Sequence, residues 1–294
     1  MDAQQLTASL NGRWHRSYGT ACCPAHDDRT PSLKISDGDT AILLKCFTGC
    51  DTLDVIDALR RIGLWPDSGA TGAVLPGYSP NVRKYRLTCD ANLSNRAREL
   101  WRRGQPAAGT PVATYLESRA ISADIPWAIR YLPNAEHKQT GSRRPCMLAA
   151  LTRWPSDGVV AVHRTFLLPD GTGKAAVPGP KLALGPMAGA AVMLAKATET
   201  LGLAEGIETA LSAMQMYGAP VWAACGSNLA GVVIPDSVKK VIIYADNGLP
   251  GEQAAEKAAA LFHAQGRSVI LSRPVDGYGD FNDCLQAQAA GRGS

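Results

Sequence analysis

The segment between residues 201 and 283 constrains the fold of this chain more than any other part. It contains four short apolar runs and two stretches of helical spacing, which alternate along the chain: 201–204, 208–217, 221–224, 241–245, 252–265 and 267–272. Short apolar runs with β-branched residues and bounding glycines are typical of buried strands. Strands that alternate with helices pair in parallel through right-handed crossovers. We therefore predict an α/β domain with a mainly parallel sheet flanked by helices.

Two carboxylates stand where apolar runs of this segment end. Glu205 follows the run 201–204, and Asp246 follows the run 241–245. Ligands of open parallel sheets bind beyond the carboxyl ends of the strands, and two acids at one edge repel unless a cation compensates them. With Asp280 and Asp283 downstream, the pattern predicts a Mg²⁺ site made of hard oxygen ligands. The alternative is that each acid only caps the helix that follows it.

A second candidate metal site lies near the N-terminus. It has four soft ligands in two closely spaced pairs, Cys23 with His26 and Cys46 with Cys50. Two such pairs joined by a hairpin can converge on one tetrahedral Zn²⁺, and Asp37-Gly38 predicts the turn of that hairpin. Four ligands leave no open position, so we predict a structural site. Cys22 is a competing ligand, and a cluster of core cysteines without metal is the alternative.

The net charge of +4 conceals a basic middle third. Residues 81–181 contain 16 Lys and Arg against 7 Asp and Glu, a net charge of +9. A basic block beside an acidic site indicates a polyphosphate partner, although a solvated basic surface has the same composition. No apolar run is long enough to cross a membrane and no signal sequence is visible, so we predict a cytoplasmic protein.

Composition and spacing divide the chain into four parts. We predict a zinc-binding ribbon at 1–65 and a linker at 66–82, where Pro, Gly, Ser and Ala dominate. A mixed α/β basic lobe at 83–195 and the parallel-sheet domain at 196–294 follow. The run Asp170–Lys174 lacks the spacing of a Walker phosphate loop, and we expect a hairpin tip that presents Lys174.

Three motifs of the last third resemble the Toprim domain. They are Ala204–Ala210, Tyr244–Gly248 with Gly251, and Asp280–Asp283. The Toprim domain is the metal-dependent catalytic core shared by bacterial-type DNA primases, type IA and II topoisomerases and some nucleases. The sequence departs from the family at Gly248, which stands where the Asp-x-Asp motif has its second aspartate.

The N-terminal motifs carry an independent resemblance. Cys23–His26, Arg29–Leu33 and Cys46–Cys50 resemble the zinc-binding domain at the N-terminus of bacterial-type primases, which helps to select the template site. A zinc module followed by a Toprim domain is the order of primases, and the likeness is to those of plasmids, phages and other mobile elements.

These resemblances imply a DNA primase that makes short RNA primers on a single-stranded DNA template from ribonucleoside triphosphates. Glu205 would be a metal ligand or acid/base and Asp246 a metal ligand for catalytic Mg²⁺ or Mn²⁺, and the zinc would be structural. Asp280, Asp283 and Glu252 are further candidates for the catalytic metal. The basic wall of the cleft would include Arg143, Arg144, Arg164, Lys174 and Lys181, and any replicative helicase would be a separate protein.

Two other functions remain open at this point. One is a Toprim nuclease or topoisomerase-like enzyme, and the other is a non-catalytic DNA-binding module with a decayed Toprim site. Glu252 either leans toward Asp246 or only complements the dipole of its helix. An aspartate at Gly248 is expected to lower the Mg²⁺ requirement if the loop tolerates a side chain.

Overall fold

The structure is a computed structural model that describes residues 2–26, 28, 30–38, 41–65, 81–226 and 229–291, without the side chains of 81–91. The chain forms two compact units, Met1–Leu87 and Thr88–Ser294, here called the N-terminal and C-terminal units. Arg29 of the zinc-domain motif and most of the predicted linker, residues 66–80, lie outside the described residues. Helix α3 begins at Asn81, inside the predicted linker.

The N-terminal unit is a four-stranded antiparallel sheet with two helices. Its elements are α1 (Ala3–Ser9), β1 (Arg13–Trp14), β2 (Gly19–Ala21), β3 (Leu33–Asp37), β4 (Ile42–Cys46) and α2 (Thr52–Arg61), and the strand order is β1-β2-β3-β4. The predicted hairpin is confirmed, since Gly38 N donates to Ala41 O at 2.8 Å between β3 and β4. The Asp51 side chain caps α2 by accepting from Leu53 N.

One face of this sheet is buried and the other is open. Leu33, Ile35, Leu44 and Cys46 point inward and pack with residues of both helices. The intervening residues of β3 and β4 point outward, as the period of a strand requires. Cys46, the last residue of β4, is therefore anchored in the core of the unit.

The first half of the C-terminal unit is an antiparallel sheet in the order β5-β6-β7-β8-β9. Its elements are α3 (Asn81–Arg102), β5 (Gln105–Pro106), α4 (Pro111–Ser118), β6 (Ile129–His137), β7 (Ser142–Thr152), β8 (Val159–Phe166) and β9 (Lys181–Leu184). Thr110 caps α4, and Pro111 occupies its first turn.

The second half contains the predicted parallel sheet, with one antiparallel strand added at its edge. Its elements are β10 (Val192–Met193), β11 (Thr200–Ala204), α5 (Ile207–Tyr217), β12 (Val221–Ala223), the 3₁₀-helix Leu229–Gly231, β13 (Lys240–Tyr244), α6 (Leu249–Ala264), β14 (Ser268–Ser272) and α7 (Phe281–Gly291). The strand order is β10-β12-β11-β13-β14, and only β10 runs antiparallel to its neighbour. This confirms the mixed α/β fold.

The two faces of the parallel sheet belong to different cores. Leu203 and Ile243 face α6, whereas Ala204 and Tyr244 face α5 and α7. The core on the α5 side also contains Met147 and other residues of the antiparallel sheet, so the two sheets share it. None of the described helices is both long and apolar enough to span a bilayer.

Candidate functional site

The N-terminal cluster brings four ligand side chains together. The ligand atoms of Cys23, His26, Cys46 and Cys50 all lie within 4.8 Å of one another. Zn–S and Zn–N bonds at a tetrahedral angle place nitrogen and sulfur about 3.5 Å apart, and His26 Nδ1 lies 3.2 Å from Cys50 Sγ. The residues present therefore fit a zinc ion. Cys22 does not belong to the cluster.

Hydrogen bonds favour the thiolate of Cys46. Burial acts to raise its pKa, but hydrogen bonds from the Thr48 hydroxyl and the backbone N–H of Cys50 outweigh it and lower the pKa to about 6. The Thr48 hydroxyl lies 2.8 Å from Cys46 Sγ. A ligand that is already deprotonated near neutral pH binds a metal without first losing a proton.

The acidic centre of the C-terminal unit consists of Glu205, Asp246 and Asp280. Strands β11 and β13 pair in parallel with Ala204 opposite Tyr244, so Glu205 and Asp246 project from the same edge of the sheet. Asp280 immediately precedes α7 and accepts a hydrogen bond from Asp283 N at 2.9 Å. This is the edge at which ligands of parallel sheets bind.

The electrostatics of the acidic centre are those of carboxylates that lack compensation. Burial, then the charges of Asp280 and Glu205, raise the pKa of Asp246 to about 6. Burial also raises the pKa of Glu205, against the opposing charge of Lys181. Among the described residues these three carboxylates do not converge as the four N-terminal ligands do. Mg²⁺ or Mn²⁺ needs only one or two protein carboxylates beside water and phosphate oxygens, and the repulsion at this edge favours such a cation.

Two further predicted ligands have other partners. Glu252 Oε1 lies 3.6 Å from Arg273 Nη1, and Asp283 Oδ2 accepts from Gly279 N at 3.0 Å. Glu252 therefore pairs with Arg273, the residue that follows β14, and Asp283 fixes the turn before α7. Neither contact directs its carboxylate toward Asp246.

Asn247 is a residue of the site that the sequence did not reveal. Its backbone N–H donates to Gly279 O at 2.8 Å, and its side-chain Nδ2 donates to Tyr278 O at 2.7 Å. These bonds attach the loop that carries Asp280 to the end of β13. Asn247 thus holds the third carboxylate beside the other two.

A buried charge cluster, also missed from the sequence, lies next to the acidic centre. Glu208 in the first turn of α5 is 4% exposed. Its carboxylate accepts from Tyr115 Oη at 2.7 Å, from Lys181 Nζ at 3.0 Å and pairs with Lys174 Nζ at 3.3 Å. We call Glu208, Tyr115, Lys174 and Lys181 the lysine–glutamate cluster. Although burial opposes ionisation, the two ammonium groups and the tyrosine hydroxyl hold the pKa of Glu208 well below its usual range.

The predicted basic wall is divided between the two faces of the antiparallel sheet. Lys181 pairs with Thr165 across β8 and β9, so it shares the face of Thr165 that looks toward α5. Arg164 is the next residue of β8 and points to the opposite face, where its guanidinium lies over the ring of Phe166. Strand alternation likewise places Arg144 on the opposite face from Arg143, which is exposed. Lys181 and Arg143 therefore share the face of the sheet that looks toward α5, and Lys174 and Lys181 pair with the buried carboxylate of that side, Glu208.

An aspartate at Gly248 is expected to destabilise the protein. Gly248 has a φ of +119°, and a Cβ built there would meet no atom within 4 Å, so backbone strain is the obstacle. Such a conformation costs a residue with a side chain on the order of 1–3 kcal/mol. Thermal unfolding of Gly248→Asp should show this loss.

Gly226→Asp is the matched control for that experiment, because Gly226 has equally open space and no positive φ. A Gly248→Asp protein with unchanged stability and tighter Mn²⁺ binding would contradict the prediction.

Comparison with known proteins agrees with this architecture. Residues 200–291 match the family model of the Toprim domain, and residues 91–194 match that of a domain of unknown function (DUF7146). No curated protein matches the chain. The C-terminal part of the chain is thus a Toprim domain.

Three solved structures are similar to this chain. The zinc-binding and RNA polymerase domains of the Aquifex aeolicus primase are 16% identical with a TM-score of 0.41, over 99% of this chain and 82% of that one. A DNA primase domain from Pseudomonas aeruginosa is 14% identical with a TM-score of 0.47, over 68% and 77%. The DnaG catalytic core is 18% identical with a TM-score of 0.49, over 68% and 78%.

Proposed function

We propose that this protein is a DNA primase that synthesises short RNA primers on single-stranded DNA. The observation that carries the proposal is the occurrence, in one chain, of a Toprim domain with Glu205 and Asp246 at the same edge of its sheet and of a four-ligand Cys/His cluster. The zinc unit would contact the template, and the Toprim domain would join ribonucleotides. A cytoplasmic location, a separate helicase partner and an origin in a mobile element belong to the same proposal.

The acidic centre would hold the catalytic metal through Glu205, Asp246 and Asp280. Bound Mg²⁺ would supply a Lewis acid for the attacking 3′-hydroxyl and counter-charge for the incoming triphosphate. Thr209 Oγ1 donates to Asp246 Oδ1 at 3.2 Å, which leaves the other carboxylate oxygen of Asp246 for the cation. Lys181, the basic residue that acts on both Glu205 and Asp246, would orient phosphate oxygens beside the metal.

Loss of either sheet-edge carboxylate is expected to abolish primer synthesis. Glu205→Gln and Asp246→Asn remove charge with little change of shape, and we expect the rate to fall by more than about 100-fold, because a direct ligand matters at least as much as the groups that orient it. The measurement is incorporation of labelled ribonucleotides on single-stranded DNA, with Glu117→Gln on the exposed part of α4 as the control.

Stability distinguishes this loss from unfolding. Because the pKa of Asp246 is raised to about 6, its ionised form costs the folded state free energy; the full cost is present above about pH 6, and it is lost as the pH falls from there to the unfolded pKa of about 3.9. Asp246→Asn should therefore raise the stability at pH 7 by about 1–2 kcal/mol after allowance for solvent screening.

The activity of the wild type separates the alternative functions. Nicking of supercoiled DNA without nucleotides would favour the nuclease, and an inactive wild type would favour the non-catalytic binding module.

The open face of the N-terminal sheet supports a nucleic-acid role for that unit. Lys34 and Lys45 lie opposite each other on β3 and β4, and their ammonium groups lie over the rings of Tyr18 and Phe47 at 4.6 and 5.4 Å. Phe47 is 65% exposed. Basic groups interleaved with aromatic rings are typical of surfaces that bind single strands.

Neutralising this face is expected to weaken DNA binding in a salt-dependent way. Lys34→Gln with Lys45→Gln should reduce the slope of log K against log salt by about 1–1.5 for single-stranded DNA, because two phosphate contacts are lost. Fluorescence anisotropy over a salt series measures the slope. Arg143→Gln with Arg144→Gln removes the same charge from the antiparallel sheet and is the control, and a slope reduced only by that pair would assign the DNA to the C-terminal unit.

A further inference from the structure

Asp28 lies beside the zinc cluster but is not one of its ligands. Its side chain is 5% exposed, so its charge is almost completely buried. Its carboxylate accepts hydrogen bonds from Cys23 N at 2.7 Å, Ser32 Oγ at 2.5 Å and Thr30 N at 3.2 Å. Burial acts to raise the pKa of Asp28, but these three donors and the charge of the nearby His26 outweigh it and leave the pKa below its usual range. Asp28 is therefore a buried carboxylate held by the segment that follows the first ligand.

The two nitrogens of His26 face different surroundings. Nδ1 points into the cluster, 3.2 Å from Cys50 Sγ, which is close to the nitrogen–sulfur separation of a tetrahedral zinc site. Nε2 points away from the thiols, 3.1 Å from Thr48 Oγ1 and 3.7 Å from Asp28 Oδ2. The geometry thus assigns Nδ1 as the metal-binding nitrogen and leaves Nε2–H to donate outside the cluster.

We propose that Asp28 is a positioning residue of the zinc site, whose carboxylate fixes the backbone of Cys23 and orients the His26 ring for binding through Nδ1. Asp28 acts on both members of the first ligand pair. It accepts from the peptide N–H of Cys23, and its charge faces Nε2 of His26. A carboxylate near the outer nitrogen of a metal-bound imidazole fixes the tautomer and raises the basicity of the ligand. Thr48 assists by its contacts with His26 and Cys46.

A purely structural role makes a different prediction. If Asp28 only closes the turn between Cys23 and Ser32, an asparagine of the same shape can still accept from Cys23 N and Ser32 Oγ through its amide oxygen, and it loses only the longer bond from Thr30 N. The proposed role needs the negative charge as well as the shape. Asp28→Asn therefore separates the two roles, and Asp28→Glu should rescue in part because it keeps the charge.

The experiment measures metal binding by the full chain, so its outcome does not depend on primer synthesis. We expect Asp28→Asn to weaken Zn²⁺ binding by about 10–100-fold in competition with a chromophoric chelator, with intermediate affinity for Asp28→Glu. The matched control is Asp57→Asn, because Asp57 is 64% exposed on α2 and pairs with Arg60; we expect its zinc affinity to stay within twofold of wild type.

A spectrum of the Co²⁺-substituted protein tests the positioning role at saturating metal. Reorientation of His26 should shift the d–d bands of Asp28→Asn, whereas a fold that is only less stable leaves the bands of the saturated site unchanged. Zinc affinity of Asp28→Asn within twofold of wild type would overturn the proposal. Weakened zinc affinity of Asp28→Asn with an unaltered Co²⁺ spectrum would overturn it as well. So would a loss of zinc affinity that occurs in Thr48→Val but not in Asp28→Asn.

Discussion

Replacing Cys46 by serine is expected to release the zinc and to unfold the N-terminal part of the chain, whose described residues lie between 2 and 65. Cys46 lies at the end of β4 and is 8% exposed, in the same core as Cys23 and the inward residues of the sheet. The core of so small a unit is limited, and structural zinc contributes on the order of 10 kcal/mol or more to modules of this kind. Elemental analysis and limited proteolysis of the purified protein measure the two effects.

Cys22→Ser is the matched control, because Cys22 is the neighbour of a ligand and lies outside the cluster. It should retain one zinc per chain and the proteolytic pattern of the wild type. Loss of zinc from Cys22→Ser with retention in Cys23→Ser would show that the ligand assignment is wrong.

Glu208→Gln is expected to destabilise the C-terminal unit by about 3 kcal/mol. Removal of one partner from a buried ion pair leaves the remaining charge uncompensated, which typically costs 3–5 kcal/mol. The lower end applies because the side chains of Lys174 and Lys181 are 33% and 39% exposed. Urea unfolding followed by near-ultraviolet circular dichroism measures the change.

Glu117→Gln, an exposed position on α4, controls for the loss of one negative charge and should change stability by less than about 0.5 kcal/mol. A variant with methionine at Glu208, Lys174 and Lys181 and phenylalanine at Tyr115 should recover most of the stability, because it leaves neither a buried charge nor an unpaired buried hydroxyl. A loss below 1 kcal/mol in Glu208→Gln would show that water already compensates the carboxylate.

The cluster also predicts a pH dependence. The folded-state pKa of Glu208 is lowered, so the stability that it contributes is fully present above its unfolded pKa of about 4.3 and is lost as the pH falls through the lower folded value. The acid branch of the stability curve should therefore be shallower in Glu208→Gln than in the wild type.

The sequence predicted those features that depend on local periodicity. The end of each apolar run placed Glu205 and Asp246 at one edge, because parallel strands in register carry their ends to the same side. The spacing of two short ligand pairs around a hairpin was enough to identify the zinc cluster, since the hairpin itself brings the pairs together.

Other features depend on contacts between distant segments and left no local signal. Glu208 had the pattern of a residue that starts a helix, and its partners lie 93, 34 and 27 positions away in the sequence. The sequence positions of Lys174 and Lys181 indicated basic residues near an acidic site, but not that they share a buried carboxylate. The positive φ at Gly248 likewise follows from the path between β13 and α6.

The division of the basic wall was accessible in principle. Arg164 lies between His163 and Thr165 in β8. Strand alternation therefore places its side chain on the opposite face from theirs once the strand is recognised. A net charge for the middle third does not assign the basic residues to the faces of the sheet. For the same reason, a net charge of +9 overstates the charge that reaches the acidic centre.

The shared core of the C-terminal unit has a consequence for how such proteins can be recombined. Residues of β7 and β8 pack in one apolar cluster with α5 and α7, and the bridge between Thr152 and Ala191 continues the hydrogen bonding from one sheet to the other. A cut at residue 196 would expose that cluster and separate Glu208 from both lysines. The segment 88–291 is therefore the smallest portable module: a chimera that transplants only 196–291 should be recovered as aggregate, whereas exchange of the whole segment should give soluble protein.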